Sequence, residues 1–340
     1  MKNNMLCVAA TLAFAANPLS INSAQADEHI HNHNAAPAPI GVMGDHVHEE
    51  GSLMFSYRYS NMKMAGNRSG TDSLTPAQTR AAGFMVAPLN MTMQMHMFGA
   101  MYGASEDLTL TAMLPYVHKS MNHETGGGMR FETSSEGLGD AKLGGIYNLY
   151  NNHNENLNLS FGVAIPTGSV DERDNTPAMA NAKLPYPMQL GSGTFDPMLG
   201  ITYTNSLQDF SYGVQAGTTQ RLGKNSEGYR LGDEYNLTGW VATEINDVFG
   251  ASLRLDGKKW GDISGSDSQL NPAMVPTARP DLRAGRRVDA LIGLDIQPFD
   301  DKLLNGHRLA LEFGVPLYQH LDGPQLESDY RLTLGWQYSF

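Results

Sequence analysis

The sequence predicts an all-β fold, a transmembrane antiparallel β-barrel of about twelve strands with short periplasmic turns and long extracellular loops. The first observation is strict alternation over residues 330–340. The apolar parity there holds Tyr330, Leu332, Leu334, Trp336, Tyr338 and Phe340. One apolar and one polar face is what a strand between lipid and an aqueous lumen requires. The second observation is that this alternation recurs along the chain. The third is that the connections between successive alternating segments are short and long in turn.

Twelve alternating segments are predicted, each of roughly ten to thirteen residues, a length that suits tilted membrane-spanning strands. Their even number also suits a single-chain bacterial barrel. In chain order they cover about 52–60, 91–102, 107–118, 138–150, 156–166, 195–204, 209–221, 233–245, 248–258, 287–297, 307–317 and 327–340.

The connections give an independent argument for a barrel. Those after the first, third, fifth and ninth strands are long, whereas those after the even-numbered strands are short and polar. With the N-terminus in the periplasm, the short connections become periplasmic turns and the long ones extracellular loops. We hypothesise that one long loop folds inward as a constriction, because it carries a charged run. The long loops cover about 61–90, 119–137, 167–194 and 259–286.

The N-terminus predicts export. Residues 1–26 have a positive start at Lys2, an apolar core and a small-x-small site ending at Ala26, as in a cleaved signal peptide. Cys7, the only cysteine, falls inside that segment. Residues 27–50 are rich in His, Asn, Ala and Pro and are predicted to be a His-rich flexible periplasmic arm. The barrel itself is predicted over residues 51–340.

Composition and charge exclude other classes. No later segment is apolar over the eighteen or so residues that a spanning helix needs. The formal net charge of −12 leaves no basic surface for nucleic acid. The expected compartment is the bacterial cell outer membrane, and the expected partners are outer-membrane lipid and a small-molecule or metal-ion solute. The terminal Phe340 on an alternating strand resembles the signal that the barrel-assembly machinery recognises in its clients.

Three short glycine-rich motifs carry a family resemblance. They are Gly137-Leu138-Gly139-Asp140, Pro166-Thr167-Gly168 and Gly191-Ser192-Gly193-Thr194-Phe195-Asp196. This pattern resembles the phenol-degradation meta-pathway family of outer-membrane transporters. The resemblance implies the barrel fold and the outer-membrane compartment, and it leaves the substrate open. The Met- and His-rich N-terminal half departs from a generic member, which argues against carrying over an aromatic substrate.

Charged residues on the polar parity are predicted to line the lumen. Two interpretations stay open: the charges pair and fill a narrow barrel, or they line a permeation path and set its ion preference. The predicted lumen-lining residues are Arg58, Asp140, Lys142, Asp196, Arg254, Asp289, Asp295, Arg308, Glu312 and Arg331.

Methionines and histidines raise a second hypothesis. Met91, Met93, Met95 and Met97 share one parity of a strand, and the simpler expectation is that they face lipid as flexible apolar side chains. Thioether and imidazole groups also suit copper, and imidazole suits zinc. Weak copper or zinc binding is therefore an alternative, and the protein is then a metal-binding or efflux-associated envelope protein. The candidate metal ligands are His29, His31, His33, His46, His48 and His96.

An outer-membrane hydrolase is the third hypothesis. His118 and His123 lie near the outer end of a strand, with Ser120, Ser134 and Ser135 close in sequence. A hydrolase needs a nucleophile within hydrogen-bonding distance of a base, and no motif establishes that geometry. We therefore predict a channel- or transporter-like barrel for small solutes that is not an enzyme.

Overall fold

The protein is a closed antiparallel β-barrel, which confirms the predicted fold class. A computed structural model describes residues 36–152, 154–207, 210–246, 248–297 and 306–340. The helix α1 (Pro76–Ala81) and the 3₁₀ turns Tyr186–Met188, Pro276–Ala278 and Pro280–Leu282 lie in connections. The strands are β1 (Leu53–Gly70), β2 (Asp72–Leu74), β3 (Val86–Ser105), β4 (Leu108–Thr125), β5 (Arg130–Leu138), β6 (Ala141–Asn152), β7 (Glu155–Ile165), β8 (Arg173–Asp174), β9 (Ala182–Lys183), β10 (Asp196–Ser206), β11 (Phe210–Thr219), β12 (Tyr229–Arg230), β13 (Glu234–Glu244), β14 (Phe249–Trp260), β15 (Ser264–Gly265), β16 (Gly285–Ile296) and β17 (His307–Ser339).

The wall follows chain order around the ring, β1-β3-β4-β6-β7-β10-β11-β13-β14-β16-β17, and β17 returns to pair with β1. The long strand β17 pairs with β16 over residues 309–321 and with β1 over residues 321–339. β17 therefore supplies two antiparallel strands of the barrel, one on each side of a turn. Counted in this way, the barrel has the twelve membrane-crossing strands that were predicted. Backbone hydrogen bonds in both directions between Leu53 and Phe340, of 2.9 and 3.0 Å, close the ring.

The two faces of the wall follow the alternation of the sequence. Large apolar side chains on the outward parity are exposed, as a lipid-facing band requires. They include Phe55, Phe98, Leu110, Phe161, Leu199, Leu237, Leu253, Ile292, Leu317 and Trp336. Among the described residues, no helix is long and apolar enough to span a membrane.

The strands β1, β3 and β4 are longer than predicted, with 18, 20 and 18 residues. About 9–11 residues suffice to cross a bilayer, so these strands continue beyond it on the outer side. The predicted loop 119–137 is therefore wrong: the end of β4 pairs with β5 in a hairpin. Polar side chains on the outward parity, such as Lys63 and Thr92, which hydrogen bond at 3.2 Å, lie in this extension.

The expectation that the methionines of β3 face lipid is wrong. Met93 and Met95 line a cavity inside the barrel together with Lys142 and Arg221. The outward parity of β3 instead carries His96 and Phe98, which contact Tyr57 on the outer surface of β1. Thr92, Gln94 and His96 were assigned to the lumen because they are polar. They face outward instead, in a part of β3 that extends beyond the apolar band.

Single-cysteine labelling tests this orientation in a Cys7→Ser background. We expect Met95→Cys to react with a small water-soluble thiol reagent in liposomes, because position 95 faces the cavity. Phe98→Cys should react only with a lipid-soluble maleimide, because the Phe98 side chain is 54% exposed on the lipid face. The opposite pattern would invert the parity of β3. Labelling after denaturation measures the total thiol in each variant.

Candidate functional site

The N-terminal residues 36–50 pass through the barrel lumen, so the predicted flexible arm is wrong over this range. Wall side chains hydrogen bond to their backbone. Ser211 Oγ donates to Ala36 O at 2.6 Å, and Arg308 Nη2 donates to Ala38 O at 2.6 Å. The predicted signal peptide and residues 27–35, including His29, His31 and His33, lie outside the described residues. We name residues 36–48 the lumen segment.

Three more hydrogen bonds extend this attachment towards β1. Gln215 Nε2 donates to Met43 O at 2.6 Å, Asn158 Nδ2 donates to Asp45 O at 2.8 Å, and the His48 backbone N–H donates to Thr109 Oγ1 at 2.7 Å. The acceptors are mostly backbone carbonyls, so the wall recognises the path of the segment more than its side chains. Polar groups that would otherwise face water are thus satisfied by the segment.

Apolar contacts and glycines complete the fit of the lumen segment. Ala38 and Val42 pack on the inward-facing Trp240, and Ile40 covers Gly335 of β17. A Cβ atom at Gly41 would lie 2.3 Å from Arg254 and 2.4 Å from Glu312. Only glycine at position 41 allows the backbone to approach this ion pair so closely.

The outer end of the barrel is covered by the connection between β7 and β10, residues 166–195. Lys119 of β4 donates to Pro187 O at 2.9 Å, and Ser135 Oγ donates to Met188 O at 2.6 Å. Buried Lys183 makes ion pairs of 2.9, 3.1 and 3.2 Å with Asp171, Glu227 and Asp267. The inward fold of this loop agrees with the hypothesis of a constriction. The pairing of β12 with β15 joins two further outer loops beside it.

Between the outer loop and the lumen segment, the barrel retains internal space. A cavity of about 500 Å³ lies beneath the outer loop. Its lining is mixed, with Asp140, Lys142 and Glu234 among the charged groups and Met93 and Met95 among the apolar ones. A second cavity of about 240 Å³ lies against the lumen segment. We name the larger cavity the chamber.

The charged residues predicted to line the lumen lie mostly in ion pairs. Arg254 binds Glu312 through two hydrogen bonds of 2.7 Å, and both side chains are buried. Arg308 Nε donates to Asp295 at 2.8 Å, and Arg331 donates to Asp256 at 2.9 Å. In this patch of ion pairs, the charges pair with one another, as the interpretation of a filled narrow barrel expects.

The remaining predicted residues divide between the patch and the outer rim. Arg58 lines the smaller cavity beside Arg254 and Glu312, and Asp289 pairs with Arg287 at 2.9 Å. At the outer rim, Asp140 accepts hydrogen bonds from Ser192 and Gly168, which belong to the outer loop. Asp196 is fully buried and pairs with Arg221, and Lys142 lines the chamber.

Sequence reasoning missed Lys119, Gln215 and Arg287. Lys119 fell inside a predicted loop, although it continues the parity of Pro115 and Val117 along β4. Gln215 is a neutral polar residue that only its contact with Met43 distinguishes. Arg287 is the first residue of the predicted strand 287–297 and shares the inward parity of Asp289, so parity alone would have found it. Extending the alternation of the third predicted strand beyond residue 118 would have found Lys119.

The described candidate metal ligands do not converge. Asp45 accepts from His46 at 2.9 Å, and the rings of His46 and His48 lie 4.9 Å apart. Burial and the nearby His46 lower the pKa of His48 to about 4, so this imidazole is neutral at pH 7. His96 lies on the outer surface, where its Nδ1 is 2.7 Å from Tyr57 Oη. Within the described ranges, no three His, Cys, Asp or Glu side chains are placed to hold a metal.

The residues of the hydrolase hypothesis are engaged elsewhere. His118 pairs with Glu136 at 3.2 Å, and His123 is buried against the ring of Phe131. Ser135 donates to a backbone carbonyl, and Ser134 lies 3.4 Å from Asp174. These contacts give no support to a serine nucleophile beside a histidine base.

The closed wall and its outward apolar band are those of bacterial outer-membrane β-barrels. A family described as "Putative MetA-pathway of phenol degradation" matches residues 78–282, more than half of the chain. The protein belongs to this family, and the resemblance seen in the glycine-rich motifs is confirmed.

One solved structure with a TM-score above 0.5 shares the fold. An outer membrane channel from Pseudomonas putida F1 is similar with a TM-score of 0.59 at 14% identity, covering 87% of this chain and 98% of that one. The β domain of the Bordetella autotransporter BrkA gives a TM-score of 0.44 at 12% identity, covering 86% and 100%. No curated protein matches the chain.

The Arg254–Glu312 pair supplies a stability prediction. Glu312→Ala should lower the free energy of unfolding by about 3–5 kcal/mol, because it removes the bidentate partner of a buried guanidinium and leaves it only Asp256 at 3.6 Å. The measurement is thermal unfolding of the purified protein in detergent, followed by circular dichroism. Glu136→Ala, at a carboxylate that is 65% exposed, is the matched control and should change stability by less than about 1 kcal/mol. Equal effects of the two substitutions would contradict the role of the buried pair.

Proposed function

We propose that the protein is a gated channel of the bacterial outer membrane for small solutes, and that it is not an enzyme. The observation that carries this proposal is the arrangement of the lumen. The chamber of about 500 Å³ lies beneath the outer loop 166–195. A further cavity of about 220 Å³ shares Lys142 with it and is lined by Met43 and Gly44 of the lumen segment. Connected internal space between the outer loop and the lumen segment supports a role in passage.

The lumen segment is the better candidate for the moving gate. It is held mainly by single hydrogen bonds and small apolar side chains, each worth on the order of 1 kcal/mol net. Its continuation towards β1 is anchored at the rim, where the Gly51 N–H donates to Gly103 O at 2.8 Å. The segment can therefore leave the lumen while the wall stays closed. The outer loop, by contrast, holds the buried ion-pair network of Lys183.

We expect the path to favour small polar solutes, with little preference between cations and anions. The wall charges beside the lumen segment occur as neutralised pairs, such as Arg254 with Glu312 and Arg308 with Asp295. Paired charges leave little net field to concentrate anions. The expected partners remain outer-membrane lipid, contacted by the apolar band, and the barrel-assembly machinery, for which Phe340 supplies the terminal aromatic residue.

A disulfide lock tests the gate. A Cβ atom placed on Gly335 would lie 3.7 Å from Ile40 Cβ, within the range that a disulfide needs. In a Cys7→Ser background, oxidised Ile40→Cys/Gly335→Cys should show low conductance in planar bilayers, and reduction should restore the wild-type level. Deletion of residues 27–48 should raise conductance above the wild type, because it removes the lumen segment.

The two single-cysteine variants are the matched controls, and neither should respond to the reductant. Heat-modifiable migration on gels establishes that every variant forms a barrel. A double variant whose conductance does not depend on oxidation, together with an unchanged conductance of the deletion, would refute the gate. Absence of ion or solute passage in all forms would refute the channel itself.

A further inference from the structure

The lumen face of β1, β3 and β4 is unusually rich in methionine. Most barrel interiors are polar, yet the inward positions here carry a near-continuous thioether surface. Cross-strand register places Met62 opposite Met93, Met64 opposite Met91 and Met91 opposite Met121. Directly opposed side chains have Cβ atoms about 4.5–5.5 Å apart, so flexible methionine side chains can bring their sulfur atoms together.

At the outer end of this surface, four methionines from four different segments share one apolar cluster with Leu184 and Leu326, and Met64 is partly buried there. Met64, Met91 and Met121 come from β1, β3 and β4, and Met188 comes from the outer loop. Met121 and Met188 are fully buried, and Met91 is 3% exposed. The hydrogen bond from Ser135 Oγ to Met188 O, at 2.6 Å, holds the loop methionine over the wall. We name these four residues the thioether cluster.

We propose that the thioether cluster is a binding site for a soft monovalent cation, Cu(I) or its chemical analogue Ag(I). Three or four neutral sulfur ligands are the donor set that a soft metal selects over hard cations. A cavity of about 150 Å³ adjoins Met64, Met91 and Met121, so an ion has space beside three of the sulfur atoms. Arg283 and Arg287 border the same cavity. Their positive charge repels any cation, a divalent ion more strongly than a monovalent one, so the bonds to sulfur have to offset this repulsion.

Simple apolar packing explains the use of methionine at these positions less well than metal binding does. Leucine, isoleucine or valine would fill the same volume, and methionine is a poorly specifying core residue. Further methionines line the internal cavities, where there is no close packing for them to complete. Met93 and Met95 line the chamber, and Met97 and Met43 line the cavity against the lumen segment. Inward residues of one strand repeat about every 6.6–6.8 Å, a spacing that gives an ion successive ligands along the lumen.

This inference deepens the proposed function by naming a cargo class, and only the passage of the ion along the lumen rests on that function. Binding at the cluster is a separate property of the folded barrel. The two are measured separately, because the binding assay uses purified protein in detergent and requires no conductance.

The test is titration of the full-length protein with Ag⁺ in chloride-free buffer by isothermal calorimetry. The wild type should bind Ag⁺ with a saturable high-affinity phase. In Met64→Leu/Met91→Leu/Met121→Leu/Met188→Leu, the affinity should fall by more than about 100-fold, the upper range for loss of a supporting metal-site group. Leucine nearly preserves side-chain volume, and heat-modifiable migration establishes that the barrel is formed.

The matched control changes three exposed methionines of the outer loops, Met85, Met129 and Met179, to leucine. This control should bind Ag⁺ like the wild type. X-ray absorption of the Cu(I)-loaded wild type should show a first shell of sulfur without nitrogen. Equal affinity of the cluster variant and the wild type, or loss of binding on deletion of residues 27–50 alone, would overturn the site. Loss of conductance with binding intact would refute the channel and leave the site standing.

Discussion

The pairing of β1 with β17 closes the sheet, and this closure governs the other features of the barrel. Lipid offers no hydrogen-bond partner to a backbone, so a spanning sheet must end on itself. Reciprocal hydrogen bonds between Leu53 and Phe340 complete this ring at the very end of the chain. Closure with twelve crossings limits the lumen to a space that side chains and one extended segment can largely fill.

The narrow lumen explains the pairing of its charges. Removing a charge from water costs several kcal/mol unless a partner and further hydrogen bonds replace the solvent. Arg254 and Glu312 meet this condition with two parallel hydrogen bonds, and Arg308 meets it with Asp295, Gln337 and the Ala38 carbonyl. The lumen segment thus completes the solvation of the wall. In the proposed gate, withdrawal of the segment would replace these contacts by water.

The two closures differ in their energetics. The outer loop is joined to the wall through Asp140, Lys119 and Ser135, and it carries a buried lysine with three acidic partners. The lumen segment has small apolar contacts and hydrogen bonds to neutral groups, apart from the one that Arg308 donates to Ala38 O. In the proposed channel, the lumen segment is therefore the weaker of the two closures. The thioether cluster joins Met188 of the stable closure to the wall, so a bound ion would stabilise it further.

Period-two alternation was enough to predict the strands of the wall. In a barrel strand one face contacts lipid and the other the lumen, so the polarity of each side chain indicates which face it lies on. The strands, their order and the terminal pairing through Phe340 could be predicted on that basis. The site could be predicted only in part: Arg254, Arg308 and Glu312 follow from parity, whereas their partners depend on register across strands distant in sequence. Parity also failed for Met91–Met97, because β3 leaves the membrane and its outward residues become polar.

Local alternation and connection length were enough to predict the closed barrel, its topology and the polarity of most of its positions. The folded protein was needed to see that residues 36–48 lie in the lumen, that the outer loop turns inward and that the methionines face one another. These features arise from contacts between segments far apart in the chain. No local pattern in the sequence indicates which backbone carbonyl accepts the hydrogen bond of Arg308, or which methionines pack in one cluster.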